Sequence, residues 1–567
     1  MSSDTRAKWL VVFLAFLFAG AAYCGVRVGA VVTPTGHVYP QNPVKLLVDL
    51  VLKGAPWPPA ATGFTIVFAI VALALFTFLL AWQARSAARR RSNVAIAHMA
   101  TRADTKVLRE AARTKQTTRL HPAAERMPCG QAVGRIIESR HRWVYQGWEE
   151  TGVYVFGTRR GKTTGMVIRH CLDAPGACIM TSNKVDGVRE VIAGRQARGT
   201  IYVFDPNRIY RDNSGPDFIY NPLDDLETLE DASELAMIFE ASTRSESDRG
   251  GDAQFDTDGR DLLAAMLLAA ALENLGLATV YRWVSSNLGK EAQEILNEHH
   301  MVGVAQTIGG VLNSAEKTMQ STFSTARRMA SALKNDRLVA WTDTKAHSAA
   351  AVRRFDPSQF VQSTDTLILL SKDGAGSAGA ILTALVRAIG KKAERAAQRG
   401  TNGRLAVPLV MELDECANIV RWPELPALYS YYGSMGIILN TYFQSRAQAV
   451  EAFGRGGWQA LWDAAANRVY GGGVADPEFL RDLADLIGKY DETTYGTSTG
   501  RDGQVTSSTS TRQVNKLDVD DLANLPVWRV VMFNSKCRPV MLETVPWFRD
   551  RDLKKLINGT TQKPEAA

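Results

Sequence analysis

The sequence predicts an α/β fold: a mostly parallel sheet covered by helices, carried behind two N-terminal membrane helices. Three observations predict it. Short apolar runs alternate with helical patterns, a Gly-Lys-Thr loop follows one such run, and two long stretches near the N-terminus carry no charge.

The uncharged stretches come first along the chain. No charged residue lies between Trp9 and Val26, and after Arg27 the apolar run continues to Val32. The second stretch, Gly54 to Ala84, centres on GFTIVFAIVALALFTFLLAW. A helix needs about 20 apolar residues to cross a bilayer. Transmembrane helices are therefore expected over 9–32 and 63–83, in a membrane domain of residues 1–84. Trp9, Trp57 and Trp82 stand where interfacial aromatics belong, and Arg27 would snorkel at one end of the first span. A signal peptide is the rival reading of the first run, but the run is long and a second span follows. RSAARRR comes directly after the second span, against Lys45 and Lys53 between the spans. That asymmetry puts the N-terminus and everything after Gln83 in the cytoplasm.

A chain of 567 residues is too long for one ordinary domain. Its 66 Lys and Arg exceed its 58 Asp and Glu by eight. Arg85 to Arg119 holds ten Lys or Arg and two Asp or Glu, which is the whole excess. The positive charge thus belongs to a juxtamembrane segment, with anionic lipid as its obvious partner, and is no sign of a DNA-binding body. The six cysteines lack C-x-x-C spacing and read as buried thiols in a reducing compartment. No H-E-x-x-H occurs, which removes a zinc-protease reading.

A polar, basic linker is expected over 85–130. Strand-like runs then lie at 152–156, 177–182, 201–205, 365–371, 408–414 and 436–444. They divide a nucleotide-binding domain into two parts, 131–224 and 351–555. Between them, Leu223 to Asp356 contains no proline in a chain that has 21. GRDLLAAMLLAAALENLG and NSAEKTMQSTFSTARRMASALKN have helical spacing there, so an inserted all-α domain is expected over 225–350. Further on, YGTSTGRDGQVTSSTSTRQ reads as a mobile loop and VWRVVMFNSKCRPVMLETVPWF as a hairpin. Residues 556–567 read as a disordered tail.

The chemistry centres on VYVFGTRRGKTTGM, residues 153–166. A phosphate loop has the pattern G-x-x-x-x-G-K-[ST], delivered by a strand and followed by a helix whose N–H groups face the phosphates. Here Phe156 holds the place of the first glycine and Gly157 follows it. The candidate nucleotide-binding residues are Gly157, Thr158, Arg159, Arg160, Gly161, Lys162, Thr163 and Thr164. Lys162 would reach the β- and γ-phosphates, and the Thr163 hydroxyl would meet magnesium. LAVPLVMELDE supplies a strand ending in two acids. Asp414 would hold the magnesium shell, and Glu415 would polarise the attacking water as a general base. Gln444 ends the next strand, where an amide could sense the γ-phosphate or merely bond a turn. The expected cofactors are ATP and Mg2+, with Lys162, Glu415 and Gln444 as catalytic residues.

At this point the chain resembles the type IV secretion coupling proteins of the TraG/TraD type, over nearly its whole length. Two spans precede the phosphate loop. YVFDPNRIYRDNSGPDFIYNPLDDL resembles the family's strand-Asp-Pro and Asn-Pro-Leu motifs, here Asp205, Pro206, Asn221, Pro222 and Leu223. ELDECANIVRWPELPALYSYYGSMGIILNTYFQSRAQAVEAFG resembles the region of the second acidic motif, with Asn418 after the acids and Gln448 after Gln444-Ser445. ANRVYGGGVADPEFLRDLADLIG continues the likeness. The departures are Phe156-Gly157 and SNKVDG (182–187), where the family has an Asp-Pro-Lys-like turn.

The resemblance implies a RecA-like P-loop ATPase, multi-pass in the bacterial inner membrane with its bulk in the cytoplasm. It implies a hexamer that recruits relaxase–DNA complexes or protein effectors and delivers them to a type IV secretion channel. Single- or double-stranded DNA is then a partner, and the all-α insert recognises substrate. An arginine from a neighbouring subunit would complete each site; Arg327, Arg328, Arg446 and Arg468 are candidates. Two other readings stay open: an FtsK-like DNA translocase, and a non-hydrolysing membrane docking adaptor.

Overall fold

A computed structural model describes residues 19–101, 103–122, 124, 127–137, 142–211, 215–243, 253–343, 352–372, 378–499 and 505–561. The chain divides into two compact units, Met1–Arg91 and Ser92–Ala567.

In the first unit, the described part of the expected first span is an apolar helix, Ala19–Val32; residues 9–18 lie outside the described residues. A helix over Ala61–His98 holds the second. Its window Ala61–Phe78 has a mean hydropathy of 2.3 and is only 11% buried, so it is long and apolar enough to cross a membrane. The two helices touch through small residues. A Cβ on Gly25 would run into Thr65, and one on Gly29 would lie 2.6 Å from the Ala61 Cα. Arg27 is exposed, and its guanidinium donates to the Tyr39 carbonyl at 3.3 Å.

The second unit is built on one large sheet. In chain order its strands are β1 (Gln131–Ile136), β2 (Trp143–Gln146), β3 (Gly152–Val155), β4 (Cys178–Ser182) and β5 (Ile201–Phe204). A short pair, β6 (Phe218–Ile219) and β7 (Arg353–Arg354), lies outside it. The sheet continues with β8 (Thr366–Leu370), β9 (Leu409–Leu413), β10 (Ile437–Phe443) and β11 (Asn467–Tyr470). A separate ribbon, β12 (Lys489–Thr499) and β13 (Val505–Asn515), is followed by β14 (Arg529–Asn534) and β15 (Cys537–Glu543). The sheet order is β2-β1-β15-β14-β11-β3-β10-β9-β4-β8-β5. From β11 to β5 every pairing is parallel; from β11 to β2 every pairing is antiparallel.

The parallel strands read as unbroken apolar runs because both faces are covered. One core contains Val153, Val155, Leu409, Met411, Leu413 and Leu439; the other contains Tyr154, Phe156, Val410, Ile438 and Tyr442. Alternate residues therefore enter opposite cores, as the two-residue strand period requires. Among the described residues, six helices from Leu229 to Met329, the first being Leu229–Thr243 and the longest Ala253–Leu272, pack around Leu267, Trp283 and Phe323. β6 and β7 pair in parallel where the chain enters and leaves this helical region.

Three stretches differ from expectation. In the expected linker, Glu110–Leu120 is a helix, and Arg113 is buried against Glu150 because the carboxylate meets it bidentately at 2.7 Å. The expected mobile loop forms the β12–β13 ribbon, since threonines suit extended backbone; residues 500–504 lie outside the described residues. The expected tail begins inside a helix, Arg551–Thr561, whose Leu553 and Ile557 are buried; residues 562–567 lie outside the described residues.

Candidate nucleotide site

Five neighbouring parallel strands, β11, β3, β10, β9 and β4, end at one edge of the sheet. That edge, outside the carboxyl ends of parallel strands, is where open α/β sheets bind ligands. β3 leads into the loop Phe156–Gly161, β9 into Asp414-Glu415, and β10 into Gln444.

The loop accommodates its missing first glycine by local packing. Phe156 is buried, and its ring occupies the space left by Gly471, where any Cβ would collide with it. The Phe156 N–H donates to the Phe443 carbonyl at 3.0 Å and the Gly157 N–H to the Gly472 carbonyl at 2.9 Å. A Cβ on Gly157 would strike the Gly473 backbone. The run Gly471-Gly472-Gly473 after β11 thus does for the loop what a first glycine would do. Gly161 is fixed by two demands: φ is +81°, and a Cβ would enter the Trp528 ring. The helix behind the loop opens with a π turn, Thr163–Val167, and continues as Ile168–Asp173. The first-turn N–H groups of such a helix have no intrahelical acceptor and face the loop.

The charged side chains meet above this loop. The Lys162 Nζ lies 2.7 Å from Asp414 Oδ1 and 2.7 Å from Glu415 Oε1. The Thr163 hydroxyl donates to Asp414 Oδ2 at 3.3 Å. The Gln444 amide donates to both Glu415 oxygens, at 2.8 and 3.0 Å, and the Asn418 amide reaches Oε2 at 3.4 Å. Burial pushes the Lys162 ammonium toward losing its proton, but Asp414 and Glu415 outweigh burial and hold its pKa above the ordinary lysine range. Burial raises the pKa of Asp414, with Lys162 opposing the rise. Glu415 adopts φ +53° and ψ +40°, a left-handed conformation rare for a non-glycine residue. Such strain costs on the order of 1 kcal/mol and collects at functional sites.

Other sequence-singled residues fall in different places. Thr158 and Arg159 are exposed on the loop. The Arg160 guanidinium turns away, donating to the carbonyls of Leu525 at 2.8 Å and Ala523 at 3.4 Å. Thr164 donates to the Gly161 carbonyl at 3.4 Å. The SNKVDG turn borders the site through Gly187, where a Cβ would sit 2.9 Å from the Thr163 methyl. Asp205 caps a turn by accepting from the N–H groups of Ile209, Tyr210 and Arg211, and Asn221 accepts from Leu223; both stabilise local backbone. Among the four arginines, Arg328 pairs with Asp256 and Arg446 with Asp476, Glu478 and Asp482. Arg327 donates to the Val284 carbonyl and Asn287. Arg468 stacks on Trp462 at 5.9 Å in a cavity of about 730 Å³, and its Nε has no partner among the described residues.

Sequence reasoning missed Thr181, whose hydroxyl donates to the Asp414 carbonyl at 2.6 Å, and Trp528 over Gly161. The glycine triplet was the visible signal for the loop's packing.

Residues 408–527 match the family model described as the TraM recognition site of TraD and TraG. No curated protein sequence matches the chain significantly. The fold is similar to that of the unbound bacterial conjugative coupling protein TrwB, with a TM-score of 0.53 and 13% identity over 76% of this chain and 92% of that one. It is also similar to TrwB solved with a non-hydrolysable ATP analogue (TM-score 0.50, 13% identity, 70% and 86% covered). TrwB with ADP and Mg2+ gives a TM-score of 0.50 at 14% identity, with 70% and 85% covered. The family match thus spans the second acidic motif, Asp414-Glu415, and the fold is similar to that of TrwB.

Proposed function

We propose that this protein is a membrane-anchored ATPase that recruits relaxase–DNA or protein substrates and delivers them to a type IV secretion channel. The observation that carries the reading is the meeting of Lys162, Thr163, Asp414, Glu415 and Gln444 at the ends of three adjacent strands. The donor set fits a magnesium nucleotide: a lysine on a glycine-bounded loop, and a hydroxyl beside a carboxylate. Lys162, Thr163 and the N–H groups from Thr158 to Thr164 would hold the phosphates, and Thr163 with Asp414 the metal. ATP would bring the phosphoryl group to be transferred, and Mg2+ the charge that offsets it.

Lys162 now bridges two acids, so in this role it swings from them toward phosphate. That frees Glu415 to accept a proton from water, while Gln444 keeps the carboxylate aimed. Asp414 stays fixed through its carbonyl and Thr181. Anchoring is supported by the tight helix contact at Gly25 and Gly29, a small-xxx-small spacing suited to membrane helix pairs. We read both helices as spans, with the basic residues after Ala84 near anionic lipid. In a ring, Arg468 is the arginine we assign to the neighbouring site, because it alone of the four makes no side-chain hydrogen bond or ion pair among the described residues.

The test is ATP turnover by the purified full chain in detergent or nanodiscs. Glu415→Gln should bind ATP and hydrolyse it about a hundredfold more slowly or worse. A wild-type protein that binds ATP without turning it over would instead be a docking adaptor.

A further inference from the structure

Beneath the candidate site lies a polar network that none of the steps above uses. Glu412 is fully buried on β9, two residues before Asp414. Its Oε1 accepts from the amides of Gln131 and Asn440, each at 2.7 Å, and its Oε2 accepts from the Tyr442 hydroxyl at 2.6 Å. Asn440 and Tyr442 lie on β10, and Tyr442 stands two residues before Gln444. His170 Nδ1 lies 2.9 Å from the same Tyr442 oxygen, on the helix behind the phosphate loop, eight residues after Lys162. Tyr154 of β3 stacks on Tyr442 with ring centroids 4.6 Å apart and bonds Gln146, which in turn bonds Asn440.

With Glu412 ionised, its oxygens only accept, and Tyr442 gives its one proton to Glu412. The Tyr442 oxygen is then the acceptor for His170, which must carry its proton on Nδ1. The chain runs His170 to Tyr442 to Glu412, with one proton per link. A carboxylate with no access to water tolerates no unmade bond, so each link fixes a distance.

We infer that Glu412, Tyr442 and His170 are positioning residues of the nucleotide site. They lock three elements together: the helix that carries Lys162, the strand that carries Asp414 and Glu415, and the strand that carries Gln444. Glu412 and Tyr442 each lie one alternation below a residue of the site, and His170 lies on the helix that begins at Lys162, so a slip in the network is passed upward to the site. The inference rests on the ATPase reading above. It adds that the reacting geometry is set from below the sheet edge.

The test uses the full chain, with kcat, KM for ATP and melting temperature measured together. Tyr442→Phe keeps the stacked ring and removes both bonds; His170→Leu breaks one link; His170→Asn can restore a donor at the Nδ1 position. Tyr442→Phe and His170→Leu should each lower kcat about tenfold with KM within about twofold of wild type. His170→Asn should recover most of that loss. If either lesion folds and keeps wild-type kcat while its melting temperature falls, the network is structural only and the inference is overturned. Should Tyr442→Phe not fold, the two His170 variants decide. An inactive wild type would sink the ATPase reading itself, an outcome distinct from active lesions.

Discussion

The two ends of β3 carry two ion clusters of opposite character. At its entry, Glu150 is met by Arg113 through two bonds of 2.7 Å, by Lys536 at 2.7 Å, by the Gly147 N–H at 3.1 Å and by Asn467 at 3.2 Å. At its exit, Lys162 is shared between two acids that both want it, one of them on a left-handed backbone. The first cluster satisfies its carboxylate from every side and ties a helix, a strand and a hairpin together. The second holds charges that have better partners to find. A buried ion pair earns its place by complete bonding; a site that exchanges partners is left incompletely bonded and strained.

The largest expected effect separates the two ends. Lys162→Ala should remove ATP turnover by a thousandfold or more, since no other side chain in the loop is placed to offset phosphate charge. Its melting temperature should fall less than that of Arg113→Ala, because Glu415 keeps the Gln444 and Asn418 amides and Asp414 keeps the Thr163 hydroxyl. A folded Lys162→Ala protein with normal turnover would show that the exit cluster is a structural pair like the one at the entry.

Much of this contrast was readable beforehand. The six apolar runs became β3, β4, β5, β8, β9 and β10, because a strand buried on both faces needs no alternation to be seen. Lys162 and Thr163 were named from the phosphate-loop pattern, Asp414, Glu415 and Gln444 from strand ends, and parallel pairing brings strand ends together. β11 was not seen as a strand, since Asn467 and Arg468 make half of it polar, and the partners of Asn467, Glu150 and Asn534, are remote in sequence. Glu412 was invisible for the same reason: read alone, a glutamate in MELDE belongs with the acids after it. The β12–β13 ribbon was hidden by composition, because Ser, Thr and Gly serve loops and ribbons alike. Phe156 looked like damage to the motif until Gly471 was found beneath its ring.

The entry cluster should dominate stability. Burial pushes the Glu150 carboxyl up, but Arg113 and Lys536 overcome it and hold its pKa at about 2. Arg113→Ala leaves that carboxylate buried and underpaired, at a cost of about 3–5 kcal/mol. Turnover per folded molecule should hardly change. The same cluster sets an acid limit. A folded pKa below the unfolded value means stability that is complete above about pH 4.5 and lost as pH falls toward 2. A displacement of this size corresponds to roughly 3 kcal/mol. Acid unfolding of wild type and Arg113→Ala, followed by circular dichroism, should show the variant losing most of that slope. Equal slopes would place the acid-sensitive group elsewhere.

The smallest effect is the sharpest probe of what the exit cluster is for. Gln444 donates to both oxygens of Glu415, and its own N–H is held by the Gln448 side chain at 3.2 Å. Two roles are available to it: aiming Glu415, or touching the γ-phosphate. Gln444→Leu keeps the bulk and removes the amide, and Glu415 retains Lys162 and Asn418. A bond to a charged group is worth about 1.5–3 kcal/mol when buried, and less at this half-buried strand end. Turnover should therefore fall about tenfold. If the amide aims Glu415, the whole loss lies in kcat, and the ratio of ATP to ADP affinity stays as in wild type. If it reads the γ-phosphate, ATP affinity falls while ADP affinity does not, because only ATP carries that group. The geometry favours aiming, since both amide bonds already end on Glu415. Equilibrium binding of ATP and ADP to Gln444→Leu, carried on Glu415→Gln to stop turnover, decides between them; a selective loss of ATP binding would move Gln444 from the carboxylate to the phosphate.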